Sequence, residues 1–96
     1  MAKGYVVARI TVTDPIAYAE YSKASAEALK AHGGRALVKG GRMAQLEGDS
    51  RARNVVLEFE SFEAAQNYYN SIEYQAAKAK RKGAAVADIV AIEGAD

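Results

Sequence analysis

Arg9, Glu58 and Asp88 are the side chains of this sequence most suited to joint chemistry, because each interrupts an otherwise apolar run with the look of a β-strand. Charges inside such runs are retained only where they find partners. In a functional reading, Arg9 holds a substrate carboxylate or enolate while Glu58 or Asp88 moves a proton, as carboxylates in clefts often do. The plainer reading of the same residues is a set of structural ion pairs. Tyr5, two alternations from Arg9, is a further candidate for a binding surface. Arg35 follows Gly33-Gly34 directly and could hold an anion, although an exposed arginine at a strand start is equally ordinary.

His32 is the only histidine and cysteine is absent. One imidazole is not a metal site, so neither a bound metal nor another cofactor is expected. His32 falls in the last turn of a helical pattern, where it can pack or cap, or act as a general base or haem-type axial ligand. Lys78, Lys80, Arg81 and Lys82 form a basic run that reads as a solvated helix end, where cations offset the dipole. The paired glycines match neither the spacing of a phosphate loop nor that of a dinucleotide fingerprint.

The totals narrow the field. Ninety-six residues make one domain, 1–96, and a net charge of +1 argues against a nucleic-acid partner. No apolar stretch is long enough to span a bilayer, and Met-Ala-Lys-Gly leads straight into a strand-like run, so a cytoplasmic protein is expected.

The elements that position these residues can be read in order. Tyr5–Val12 is strand-like, and Asp14-Pro15 supplies an N-cap followed by a first helical residue with no N–H to waste. On the helix that follows, Glu20, Lys23, Glu27 and Lys30 share one face, and Tyr18, Tyr21, Ser25, Ala28, Leu29 and His32 the other. Gly33-Gly34 ends it. Arg35–Lys39 is a second strand, with Met43–Glu47 expected to continue it past a bend at Gly40-Gly41. Asn54–Glu60 forms the third. Ser61 and Ser71 each cap a helical piece, the first with Phe62, Ala65 and Tyr69 on one face, and Val86–Glu93 is the last strand.

The pattern β-α-β-β-α-β predicts an α+β, ferredoxin-like fold whose four-stranded antiparallel sheet has the order 4-1-3-2 and both helical layers on one side. Strand alternation then turns Tyr5, Val7, Arg9, Thr11, Asn54, Val56 and Glu58 away from the helices. That face is too apolar for water and too charged for a dry core, so a homodimer with its sheets packed together around a partly polar pocket is expected.

Several segments together resemble the bacterial family named domain of unknown function 1330: His32-Gly33-Gly34-Arg35, Gly40-Gly41, Leu46-Glu47-Gly48, Leu57-Glu58-Phe59, Phe62-Glu63-Ala64-Ala65, Tyr69-Asn70-Ser71, Glu73-Tyr74-Gln75 and Asp88-Ile89-Val90 with Glu93-Gly94. The resemblance implies the dimeric α/β-barrel superfamily, which includes cofactorless monooxygenases, isomerases and haem-dependent enzymes. It also makes Tyr74 a pocket or interface candidate. The chain departs from the family at His32, where tyrosine is frequent, and at Ile72, where proline commonly follows the serine. The expected function is a cofactor-independent enzyme acting on a small carbonyl, phenol or lactone compound near the dimer interface, with a non-catalytic binding module or a purely structural dimer as alternatives.

Overall fold

The structure is a computed structural model and describes residues 2–95. Its elements are β1 (Gly4–Val12), α1 (Pro15–Ala31), β2 (Arg35–Lys39), β3 (Arg53–Phe59), α2 (Phe62–Asn70), α3 (Ile72–Lys80) and β4 (Ala85–Glu93). The strands form one sheet in the order β2-β3-β1-β4, with every neighbouring pair antiparallel. This is the predicted 4-1-3-2 order, and the fold is α+β and ferredoxin-like.

Local chemistry explains most boundaries. The Asp14 carboxylate accepts from the N–H groups of Ile16 and Ala17, two of the donors a helix start leaves unpaired. Gly33, at φ 70°, turns the chain out of α1. Ser61 caps α2 through the Ala64 N–H, and Ser71, itself extended at ψ 155°, closes α2 and caps α3 through the Tyr74 N–H. A single extended residue therefore divides two helical pieces, as the two serine caps predict.

One expectation fails. The chain does not continue as a strand through Met43–Glu47: β2 ends at Lys39, and residues 40–52 carry no strand pairing. Gly40 and Gly41 both hold positive φ, 74° and 95°, a conformation that bends the backbone away from its neighbour. The Gly40 N–H still reaches the Asn54 carbonyl at 2.9 Å, and beyond it the segment is exposed.

Val6, Ala8 and Ile10 of β1 join Leu57 and Phe59 of β3 beneath the helices, with Ala65, Tyr68, Tyr74 and Ala77 facing them. The helices are not equidistant from the sheet. α2 lies close to β1, β3 and β4, whereas α1 packs chiefly on α3 and approaches the strands much less closely. Aromatic rings fill the difference.

Gly34 sits where the turn after α1 presses on this core. A Cβ built there would lie 2.4 Å from Leu29 Cδ1 and 2.5 Å from Phe59 Cε2. Gly34→Ala is expected to lower stability by about 1–3 kcal/mol, the usual cost of overpacking, read as a lower urea midpoint with an unchanged slope.

Candidate functional site

The sheet register decides which candidate residues meet. On the face away from the helices, Tyr5 pairs with Glu58 on one side and Ile92 on the other, and Arg35 pairs with Glu58 in turn. The Tyr5 hydroxyl donates to Glu58 Oε2 at 3.1 Å, and Arg35 Nε lies 3.1 Å from Glu58 Oε1. That bond to Glu58 raises the Tyr5 hydroxyl above its ordinary range, with partial burial adding to the effect. The next outward row is entirely valine: Val38, Val56, Val7 and Val90 are in register across all four strands.

The following row holds Asn54, Arg9 and Asp88. Arg9 and Glu58 are thus four residues apart along the sheet, roughly 13 Å at about 3.3 Å per residue, and do not pair. Arg9 instead donates to the Asp49 carbonyl at 3.0 Å. Asp88 takes Arg51 at 2.8 Å, and Arg51 also donates to the Thr11 hydroxyl at 3.0 Å. Segment 40–52 therefore anchors over one end of this face. Glu58, Tyr5 and Arg35 form one cluster, Arg9 and Asp88 stand near another, and none of them lines the cavity described next.

That cavity lies on the opposite side of the sheet, under α1. It holds about 60 Å³ and is walled by Val6, Ala8, Ile10 and Leu57 from the sheet and by tyrosines from the helices. The expected pocket at the outward face and the observed cavity at the helical face are two different places. Tyr74 belongs to the latter: it is 2% exposed and not on the sheet's outward face, because Ser71 starts α3 so that Tyr74, in its first turn, points inward at α1. Its hydroxyl lies 2.8 Å from that of Tyr21, buried on both sides. Tyr68 stacks at 5.0 Å from Tyr74 and reaches the Ser25 carbonyl at 3.5 Å.

Burial pushes the Tyr21 hydroxyl far above the ordinary phenol range, with Tyr74 adding to the shift, and burial raises Tyr68 likewise. Both are therefore neutral hydrogen-bond groups at physiological pH. Behind them, Arg81 lies with its guanidinium carbon 5.2 Å from the Tyr21 ring centre. Burial works against its charge, but the Tyr74 and Tyr21 hydroxyls outweigh that and keep it firmly charged. Its Nε is buried with no hydrogen-bond partner among the described residues, the ring face serving in place of one.

The lining itself also carries Lys39 and Arg53. Arg53 Nε donates to the Tyr18 hydroxyl at 3.1 Å, and the guanidinium carbon stands 5.5 Å from the Tyr18 ring centre. Arg53 was not singled out from sequence, and Arg81 was read there as part of a solvated helix end. Arg53 opens a strand whose pattern marks no face at its first residue. Arg81 looks like one more cation in the run after α3, yet it is half-buried while Lys80 and Lys82 are exposed. Lys78, from the same run, donates to the Tyr69 hydroxyl at 3.0 Å.

His32 caps α1 near the cavity's back wall, its ring 6.4 Å from that of Tyr68, but its Nε2 faces out to Glu73 Oε1 at 3.0 Å. Among the described residues no group of three or more His, Asp or Glu side chains could hold a metal ion.

A ferredoxin-like sheet with an aromatic-lined cavity beneath its helices defines the class, and comparison supplies the family. The profile described as domain of unknown function DUF1330 matches residues 3–95, so the chain belongs to the DUF1330 family. Among solved structures it is similar to a protein of unknown function from Rhodopseudomonas palustris, at TM-score 0.74 and 17% identity over 99% of this chain and 84% of that one. It is also similar to a dimeric ferredoxin-like protein of unknown function from Thermobifida fusca, at TM-score 0.63 and 17% identity over 99% and 92% of the two chains. A third likeness is to SnoaB, a cofactor-independent oxygenase from Streptomyces nogalater, at TM-score 0.57 and 12% identity over 100% and 96%. At these identities the likeness is one of fold. Among curated proteins none matches the chain. No helix among the described residues is long and apolar enough to cross a membrane.

The His32–Glu73 contact has a pH signature. Its hydrogen bond to His32 lowers the Glu73 carboxyl from its ordinary 4.5. A carboxylate lowered by folding stabilises above its unfolded value, and that contribution is lost as pH falls through the folded value. Wild type should therefore exceed Glu73→Gln in urea midpoint at neutral pH, and the gap should close on acidification through that range. A gap independent of pH would contradict the assignment.

Proposed function

We propose that this protein is an enzyme without a resident cofactor that binds a small, mainly apolar phenol or enol in the cavity under α1. The observation that carries the reading is the buried Tyr21–Tyr74 hydroxyl pair at 2.8 Å in the wall of a largely apolar chamber, with Arg81 packed behind Tyr21. Such a chamber gives a ligand shape and exclusion from water, and its few polar groups fix orientation. The hydroxyl pair can turn to donate to a ligand oxygen, and Arg81 supplies the positive field that favours charge there. What these groups favour is the ionised ligand: the O–H proton is lost to bulk water before entry, the electron pair stays on oxygen, and the resulting phenolate or enolate accepts from the hydroxyl pair. The likeness to a protein described as a cofactor-independent oxygenase is in keeping with such a role.

In this reading Arg9, Glu58 and Asp88 serve association. Two copies pair through the outward face, where the valine row supplies apolar contact and the charged rows on either side fix the register. Similar folds described as dimeric support the pairing.

4-Nitrophenol tests the site, because its phenolate is yellow. Added below its free ionisation midpoint, it should bind saturably as the yellow form, and Tyr74→Phe should weaken binding about tenfold, the worth of roughly one good hydrogen bond. Absence of saturable binding to wild type overturns the reading. For the pairing, light scattering should give about twice the 10.2 kDa chain mass. Val7→Glu should shift that mass toward one chain, and a wild-type monomer would remove the dimer.

A further inference from the structure

We infer that the molecule taken by this cavity carries a carboxylate, held at the mouth by Arg53 and Lys39. The inference rests on the cavity being the working site and adds the chemical class of its ligand. Lys39 and Arg53 are the charged side chains among the lining residues, which include no Asp or Glu. The ion pairs found among the described residues engage His32, Arg35 and Arg51, and neither Lys39 nor Arg53. Two cations at the rim of a low-dielectric chamber, with no acid opposite, make a field that only an anion satisfies.

The geometry of Arg53 is that of a prepared receptor. One face of its guanidinium lies over the Tyr18 ring, and Nε is committed to the Tyr18 hydroxyl. On another side it touches the Gly40 backbone so closely that a Cβ at Gly40 would meet Nη1 at 2.6 Å. Gly40, at φ 74°, is required by its backbone angle. A guanidinium fixed this way keeps Nη1 and Nη2 for a planar, two-oxygen partner, and carboxylate is the group that matches the fork. Lys39, on the neighbouring strand in register with Val55, adds a second charge without a directional demand.

A run of neighbouring aromatic groups leads from Arg53 to the hydroxyl pair. Arg53 lies 5.5 Å from the Tyr18 ring, Tyr18 lies 5.3 Å from Tyr21, and Tyr21 lies 6.2 Å from Tyr74. A small acid enters with its carboxylate at Arg53 and its apolar part against these tyrosine walls, so small carboxylates with an apolar body are the ligand class.

Benzoate and its neutral isostere benzamide, titrated into the full chain by calorimetry with amide NMR locating the site, test this. Benzoate should bind about tenfold or more tightly than benzamide, as a charge-assisted pair is worth that much. Arg53→Gln should erase the preference of benzoate over benzamide. Lys39→Gln, at an exposed position, should reduce it partially and serves if the arginine variant does not fold. Equal affinities in wild type, or a preference kept in both variants, overturn the carboxylate while leaving the cavity as a neutral-ligand site. Failure of both compounds to bind the cavity overturns the site and the inference together.

Discussion

The hydroxyl contact between Tyr21 and Tyr74 holds the helical layer together. It joins the middle of α1 to the first turn of α3, and both oxygens are buried, so losing either leaves the other a costly orphan. Because the link is made by two long rings, α1 stands off from the sheet instead of settling on it. Phe59, Tyr68, Tyr69 and Tyr74 continue the contact at centroid distances of 5.0 to 5.1 Å and tilts of 36° to 51°. Flat rings meeting at such angles cannot fill space as aliphatic side chains do. The cavity is the space they leave.

The sheet answers a different constraint on each side. Alternation in β1 sends Val6, Ala8 and Ile10 to the tyrosines and Tyr5, Val7, Arg9 and Thr11 outward. The outward side then sorts itself by register into a charged row, a valine row and a second charged row. Within one chain the charges are already matched locally, Glu58 by Arg35 and Tyr5, and Asp88 by Arg51. The valine row has no such partner, with Val38 and Val90 remaining 43% and 52% exposed. Covering apolar surface between two self-satisfied charged rows gains hydrophobic free energy without stranding an ion.

What was legible in the sequence is what local chemistry decides. Asp14, Ser61 and Ser71 announce helix starts, Gly33 announces a stop, and period-two alternation tells inward from outward in β1 and β3. The strand order follows from handedness. What was not legible depends on register and on distance between elements. Arg9 and Glu58 share a face in any reading of alternation, but only the pairing of Tyr5 with Glu58 shows that they are four residues out of step. Met43–Glu47 looks extended, and two positive-φ glycines take it out of the sheet. Tyr74 and Tyr68 carry no mark that separates them from Tyr69 until the break at Ser71 sets the phase of each helix.

The distribution of charge around the cavity is the last consequence of the same geometry. Glu20 and Glu27 are on the wet face of α1, Glu73 turns out to His32, and Glu58 and Asp88 are on the far side of the sheet. These five carboxylates are held elsewhere by their own elements, and none of the lining residues is an acid. Arginine packs against these tyrosines because it tolerates this situation better than lysine. A guanidinium can lie against a tyrosine face and remain charged with part of its hydrogen-bonding capacity unused, whereas a compact, strongly hydrated ammonium is costly to bury so. Arg81 meets the buried pair in that way and Arg53 meets Tyr18. The chamber is therefore largely apolar in its walls, with Lys39 and Arg53 in its lining and Arg81 packed behind Tyr21. That arrangement follows from placing α1 on a layer of tyrosines.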